Sequence, residues 1–361
     1  MTEAAPAGIA DAPRAPRFGE RAPRFLARSN VNPRFAFDTV AGRYVLLVFL
    51  SGDWDADRAA VEAVAGRRDL FDDDRCVAFV VAPSEGHDAG ALHAKLRVFF
   101  DDGGQLSALF GGEGARGAWL FDPGLRLLVR TPASEITDIF AWLERAPSPD
   151  GHAGVTGWAP VLLAPRIFEP EFCRALIDYY RQVGGRPSGF MREVDGRTVL
   201  LHDRTHKRRE DVTVEDPRLA AAARQRIVDR LAPQIQDAFQ FKATRMERYL
   251  VARYDAGDQG FFRAHRDNTT SGTAHRRFAV TLNLNAGDYE GGELRFPEYG
   301  RRTYKPPTGG AVVFSCSLLH EATPVTSGER FAFLPFLYDE AGAAIRERNA
   351  ALVEGGSGYR K

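Results

Sequence analysis

His265 and Asp267 stand two residues apart in a segment of extended character, and His320 and Arg330 follow within the same stretch, Tyr249 to Tyr338. Side chains two apart on a strand point to the same face. One imidazole and one carboxylate can therefore take neighbouring positions on a single metal, and His320 supplies a third ligand from a later strand. Two histidines and a carboxylate are a complete protein set for a non-haem Fe(II), with coordination positions left open. Structural zinc, the competitor, prefers four protein ligands, often sulfur, and no such set is placed here. Arg330 adds a guanidinium that can grip a carboxylate through two parallel bonds. Phe331, Phe333 and Leu337 follow it in an apolar strand, so the arginine is expected to be buried and to need a partner. Tyr254 could add a hydroxyl to the same ligand; the other reading of it is a core aromatic.

The elements that must position these residues alternate with period two. From Thr244, the set Met246, Arg248, Leu250, Ala252 alternates with Glu247, Tyr249, Val251, Arg253. Further short strands are expected over Phe261 to Asp267, Arg277 to Asn285, Glu290 to Pro297 and Ala311 to Phe314. Val325 to Arg330 reads as a hairpin turn into Phe331 to Tyr338. Gly291-Gly292 reads as a backbone requirement of a turn. Many short strands at such spacing predict a closed or sandwiched β architecture, a jelly-roll barrel. Two amphipathic helices should brace it. Glu169 to Val183 gathers Phe172, Leu176, Ile177, Tyr180 and Val183 on one face. The second starts with Asp216 as cap and Pro217 in first place, and buries Ile227, Leu231, Ile235 and Phe239. Between them, residues 184–216 carry His202-Asp203-Arg204-Thr205-His206-Lys207-Arg208-Arg209, which reads as a solvated loop or a flap over the site. His202, Asp203 and His206 lack a partner set for a metal, and His275, in a polar segment, reads as exposed.

Tyr254, His265-Arg266-Asp267, Arg276 to Asn285, Tyr289 to Phe296, Pro306 to Phe314, His320 to Val325 and Gly328-Glu329-Arg330 together resemble the prolyl 4-hydroxylase type of 2-oxoglutarate/Fe(II) dioxygenase. The resemblance covers residues 160 to 340 and implies a double-stranded β-helix. It implies His265, Asp267 and His320 as iron ligands, Arg330 on the distal carboxylate of 2-oxoglutarate, and Tyr254 assisting it. Many prolyl hydroxylases of this type have lysine at the Arg330 position. Asn283 stands where some relatives place an aromatic co-substrate contact, and is left out of the site. The implied reaction consumes dioxygen and 2-oxoglutarate, yields succinate and carbon dioxide, and hydroxylates an unactivated C–H bond, often with ascorbate in support. The primary substrate stays open among protein, peptide, amino acid and small metabolite, because cofactor use outlives changes of substrate.

The first half reads differently. Val45 to Leu50 and Cys76 to Ala82 are continuous apolar runs, as in strands buried on both faces. Asp55 to Arg67 and Gly90 to Val98 read as helices, Gly117 to Asp122 and Leu125 to Arg130 as a hairpin, and Ser134 to Glu144 as a closing helix capped by Ser134. Arg21-Ala22-Pro23-Arg24-Phe25, Asp38 to Phe49, Phe99-Phe100-Asp101-Asp102 and Leu109-Phe110-Gly111 are similar to segments of the peroxiredoxin family, which implies a thioredoxin-like fold. A thiol peroxidase needs a cysteine at the start of the helix after the first core strand, where the helix lowers its pKa. That stretch here is Ser51-Gly52-Asp53-Trp54-Asp55-Ala56-Asp57-Arg58, with acids in place of a thiol. A redox-inactive scaffold is the expectation.

The fold class expected is thus α/β plus mainly β: an N-terminal thioredoxin-like domain and a C-terminal jelly-roll barrel with bracing helices. The boundaries read as an arm at 1–20, the first domain at 21–145, a Pro- and Gly-rich linker at 146–160 in which His152 is solvated, the barrel at 161–340 and a tail at 341–361. Lys plus Arg and Asp plus Glu both number 48 in 361 residues, which removes the basic excess expected of a nucleic-acid binder. No run is long and apolar enough for a membrane span, and the arginines near the N-terminus lack the apolar run of a secretory signal. Three scattered cysteines, Cys76, Cys173 and Cys316, form no framework, so a reducing cytoplasm is the expected setting. An alternative function is a non-catalytic interaction protein that uses the first domain as its binding module.

Overall fold

Tyr44–Phe49 is apolar without interruption because it becomes the central strand of a five-stranded sheet, with all six residues buried. The computed structural model describes residues 14–83 and 96–354. The chain divides into two units, Met1–Trp158 with Pro297–Gly300, and Ala159–Phe296 with Arg301–Lys361. In the first unit, Tyr44–Phe49 runs parallel to Cys76–Pro83, which runs parallel to Arg97–Asp101. Its other edge pairs antiparallel with Gly117–Phe121, which pairs with Leu127–Thr131. Helices Trp54–Gly66 and Ile136–Arg145 lay Val61, Val64, Ile139, Phe140 and Leu143 on one face, against Leu46, Val48, Val80 and Leu120. The opposite face carries an aromatic cluster that includes Phe25, Phe37, Phe99 and Phe110.

Three readings of this unit change. The helix expected over Gly90 to Val98 lies largely outside the described residues, and its end falls in the Arg97–Asp101 strand. Ser134 sits inside a short 3-10 turn, Ala133–Glu135, and does not cap the helix that follows. His152 is only partly exposed, with its Nδ1 3.5 Å from the Asp122 carboxylate.

The second unit is mainly antiparallel sheet. A large sheet runs through Arg245–Glu247, Phe336–Tyr338, Phe278–Asn283, Val325–Phe333, Leu250–Asp255 and Glu210–Thr213, and a smaller one through Lys207–Arg208, Phe261–His265, His320–Ala322, Leu294–Arg295 and Thr303–Tyr304. Strand parity divides the labour within the large sheet. Val251, Val280, Leu282, Val313, Phe331 and Phe333 face the helices, while Leu250, Ala252, Tyr254, Tyr289 and Val325 meet Phe262 and Ala322 of the smaller sheet. Two sheets packed through their inner faces are consistent with the jelly-roll core expected.

Helix Pro170–Val183 buries Phe172, Cys173, Leu176, Ile177 and Tyr180 in the outer core. The Asp216 carboxylate accepts from the N–H groups of Arg218 and Leu219, at 2.8 and 2.9 Å, and starts the second brace. That brace runs Pro217–Arg226 and Ala232–Phe239 with a π turn at Ile227–Leu231 between them. Pro233 has no N–H to offer the Asp229 carbonyl, so the ladder widens just before it. Helix Glu340–Asn349, where a tail was expected, is capped by Asp339. No helix among the described residues is long and apolar enough to cross a membrane.

Four further expectations are corrected. Residues 184–216 are not a loop. They form the hairpin Phe190–Val194 with Arg197–Leu201, then one strand on each sheet. Val325–Phe333 is one nine-residue strand, so Arg330 lies in a central strand and not in a turn. The alternation from Thr244 breaks at Arg248, whose φ is +64°. His275 is fully buried, with Nε2 3.0 Å from Glu247, because Glu247 arrives from a different strand to receive it.

Candidate metal centre

The smaller sheet brings the histidines together by register. His265 ends its strand, His320 begins the neighbouring one, and the two are cross-strand partners with ring centroids 4.3 Å apart. Asp267 lies just past the strand end, where its N–H donates to the Cys316 carbonyl at 3.0 Å. Its carboxylate faces both rings, Oδ1 3.6 Å from His265 Nε2 and Oδ2 3.2 Å from His320 Nε2. One ligand atom from each of the three residues lies within 4.8 Å of the others.

Each imidazole is oriented by its far nitrogen. His265 Nδ1 lies 2.7 Å from the Arg263 carbonyl, and His320 Nδ1 lies 3.0 Å from the Leu318 carbonyl. A carbonyl only accepts, so Nδ1 carries the proton and the Nε2 lone pair points into the centre. Burial, with the charge of His320 beside it, pushes His265 down to about 4. It is neutral near pH 7, as ligation requires. Burial alone would raise Asp267, but the two imidazoles outweigh it and hold the carboxyl well below its usual range. Phe262 stacks on His265 at 3.6 Å and Phe314 meets His320 at 4.6 Å, which gives the centre an apolar wall.

Arg330 belongs to the inner face of the large sheet and is 2% exposed. Its cross-strand partner is Tyr254, whose ring lies 5.0 Å from the guanidinium carbon. Among the described residues, Nε and Nη1 of Arg330 have no hydrogen-bond partner, nor do the Tyr289 hydroxyl and Asn283 Oδ1. Asn283 pairs across with Ala332, two residues from Arg330, so their side chains share a face. A Cβ on Gly292 would come within 3.1 Å of Arg330 Cδ and 2.6 Å of Val325 Cγ2, at a φ of +63°. The glycine therefore serves the turn and also clears the space in which Arg330 lies. Buried donors are almost always satisfied. A buried guanidinium with open donors, beside an open hydroxyl, is what a bound carboxylate would help to satisfy, so these residues fit 2-oxoglutarate.

The five residues singled out from sequence are thus gathered in one unit: His265, Asp267 and His320 at one centre, Arg330 and Tyr254 side by side on the inner face. Tyr254 accepts from Arg209 Nη1 at 3.3 Å, which leaves its own O–H free to donate. Tyr289, which the sequence reading does not single out, and Asn283, which it leaves out of the site, also present open polar atoms; the signal for Tyr289 is its place beside the double glycine. His206 packs between Phe190 and Phe262 and is no ligand, and His202 and Asp203 gather no metal set.

The cysteines offer no competing chemistry. Burial pushes Cys76 and Cys173 up to about 12, and Cys316 well above its ordinary value. Where a peroxidatic thiol would sit, the buried Asp57 carboxylate accepts from the N–H groups of Ser51 and Gly52 and from the Ser51 hydroxyl. The acid there closes a loop.

The family model of the 2OG-Fe(II) oxygenase superfamily matches residues 249–338, which contain all of the gathered residues. A PKHD-type hydroxylase of Shewanella baltica is 36% identical over 141 residues, 37% of this chain and 61% of that protein, so this chain spans about three fifths of its length. A PKHD-type hydroxylase of a second Shewanella strain is 34% identical over 160 residues, 40% of this chain and 69% of that protein. A solved structure of a Pseudomonas putida prolyl-4-hydroxylase shares 20% identity over 50% of this chain and 92% of its own, with a TM-score of 0.39. With a relative matched over more than two thirds of its length, and the His265, Asp267 and His320 set inside the matched segment, this chain belongs to the 2OG-Fe(II) oxygenase superfamily, which uses Fe(II) and 2-oxoglutarate.

Proposed function

We propose that the second unit is a 2-oxoglutarate-dependent Fe(II) hydroxylase of jelly-roll fold in which His265, Asp267 and His320 hold the iron. The observation that carries this is a set of three oriented ligand atoms on the smaller sheet, whose inner face packs against the large-sheet face that holds a buried arginine with open donors. When bound, the iron supplies the activation of dioxygen that couples loss of carbon dioxide from 2-oxoglutarate, leaving succinate, to hydroxylation of a C–H bond. The protein's part is binding, orientation and exclusion of water. The two backbone carbonyls fix the imidazole tautomers. Arg330 holds the distal carboxylate of 2-oxoglutarate through its guanidinium, a planar donor matched to a planar acceptor. Tyr254 and Tyr289 donate hydroxyl protons to the same group. Phe262 and Phe314 keep water off the ligand rings, which strengthens every charge interaction at the centre. Ascorbate would serve as reductant in support.

The first unit is best described as thioredoxin-like and redox-inactive. The strand order, with two parallel pairings followed by two antiparallel ones, supports that reading, as does the closed Asp57 loop. The test of the whole reading is succinate formation from 2-oxoglutarate by the full chain, with and without Fe(II). His265→Ala should lose metal affinity by more than about 100-fold, since even second-shell changes cost 10–100-fold. Iron-independent succinate release, or full activity in that variant, would sink the assignment.

A further inference from the structure

Beside the proposed iron site lies a set of charges that neither ligates metal nor takes the distal carboxylate of 2-oxoglutarate. Lys207, Arg209 and Arg248 surround a single carboxylate, Asp211. Arg209 Nη2 lies 2.7 Å from Asp211 Oδ2, and Arg248 Nη2 lies 3.6 Å from the same oxygen. Lys207 Nζ donates to Ser188 Oγ and the Gly189 carbonyl, at 2.7 and 2.6 Å. Among the described residues, Arg209, only 4% exposed in its side chain, leaves Nε without a partner, and Asp211 leaves Oδ1 without one.

Three chains of contact tie this set to the centre. The Lys207 ammonium lies 4.6 Å from the Phe262 ring, and Phe262 stacks on His265. Arg209 donates to Tyr254, which underlies Arg330. Arg248 and Arg276 both lie against the Phe336 ring, at 5.3 and 4.0 Å, and Arg276 donates to the Asp267 carbonyl. Each cation is therefore linked through one or two intervening residues to an iron ligand or to the 2-oxoglutarate arginine.

Arg248 is the member open to a ligand. Its side chain keeps 31% of its surface accessible, yet burial, with the charge of Arg209, pushes its guanidinium down to about 10. Among the described residues its one ion pair is with Asp211, at 3.6 Å. Its backbone is held at φ +64°, a conformation costly for a non-glycine residue, and such strain concentrates at functional sites. Lys207, for its part, is depressed well below its ordinary value by burial and by Arg209. Three cations against one carboxylate repel one another, and an arriving anion relieves that repulsion.

We propose that Arg248, backed by Lys207 and Arg209, receives a compact anionic group of the primary substrate, a carboxylate or a phosphate, and that the hydroxylated substrate is a small acid. This rests on the proposed iron site, since it places the substrate beside it. The test uses the full chain loaded with Mn(II) and saturating 2-oxoglutarate under nitrogen, titrated calorimetrically with two matched pairs: L-aspartate against L-asparagine, and O-phospho-L-serine against L-serine.

The charged member of at least one pair should bind about tenfold or more tightly than its neutral twin, as a charge-assisted hydrogen bond predicts. Preference within the first pair assigns a carboxylate, and within the second a phosphate. Arg248→Gly suits the left-handed backbone and should abolish the preference, while Arg248→Lys should keep part of it. Binding of 2-oxoglutarate, measured first, should be unchanged in both variants. Equal binding within both pairs, or a preference that survives Arg248→Gly, overturns the proposal. So does a preference lost in Arg330→Ala but not in Arg248→Gly. Failure of the unmodified chain to bind 2-oxoglutarate overturns the iron-site reading, and this proposal with it.

Discussion

Both units enclose carboxylates, and Glu247 in the second is paired with His275 and Arg276 as fully as those of the first, but one group of polar residues in the second unit is treated differently. In the first unit Asp57 is saturated by two N–H groups and a hydroxyl, and Asp101 by the N–H groups of Leu106 and Ser107 and the Ser107 hydroxyl. In the second unit Asp267 faces two imidazoles across gaps of 3.2 and 3.6 Å, and Arg209, Asp211, Asn283, Tyr289 and Arg330 each leave a buried polar atom open. Satisfied buried groups fix a chain in place. Open ones that converge on one face are a site waiting for its ligands, because nothing else offsets the cost of desolvating them.

The comparison breaks most visibly at Arg330. Arg330→Ala should raise the 2-oxoglutarate concentration needed for half-maximal succinate formation by about 10- to 100-fold, the worth of one or two charge-assisted hydrogen bonds. Arg330→Lys should recover part of that, since it keeps the charge but not the fork. An unchanged requirement in Arg330→Ala would remove the residue from the site. In the first unit the effect should appear as stability. Asp57→Ala leaves the Ser51 and Gly52 N–H groups unsatisfied and should cost roughly 1–3 kcal/mol in denaturant unfolding. Succinate formation at saturating 2-oxoglutarate should not change, and a matching fall in turnover would show that the loop does more than close.

The smallest effect concerns His206. Burial, then the nearby charge of Arg192, pushes it down to about 4, below its ordinary value near 6.5. A group depressed on folding adds stability that is complete above the higher value and is lost as pH falls towards the lower one. His206→Phe should therefore flatten the pH dependence of unfolding between about pH 6.5 and 4. An unchanged slope there would mean that His206 titrates as if exposed.

The metal set was legible because its signal is local: His-x-Asp on an extended segment fixes two side chains on one face, and an arginine leading an apolar strand announces burial. The cationic set was not. Lys207, Arg208 and Arg209 in a row look like a solvated surface, and only the pairing of Lys207 with Phe262 and of Asp211 with Ala252 turns that run inward and gives it a counter-ion. His275 misled for the same reason, since its partner Glu247 is far off in sequence. Arg330 was placed in a turn because Gly328 resembles a hairpin. Gly328 instead takes φ +72° within a continuous strand, where a Cβ would strike the Asp288 carbonyl. Local pattern reveals strand parity and spacing, whereas burial of charge is decided by pairings between distant segments.

The strand that carries Arg330 runs nine residues through the middle of the large sheet, while Lys207–Arg208 is a two-residue strand at the edge of the small one. Edges and short strands open locally at little cost, and central strands open only with the whole domain. Backbone amides around Arg330 should thus exchange with solvent at the global unfolding rate, and those around Lys207 much sooner. Mutation can accordingly remodel the rim that selects what is oxidised without disturbing the grip on 2-oxoglutarate, and such a division lets one oxidising centre be turned to new substrates.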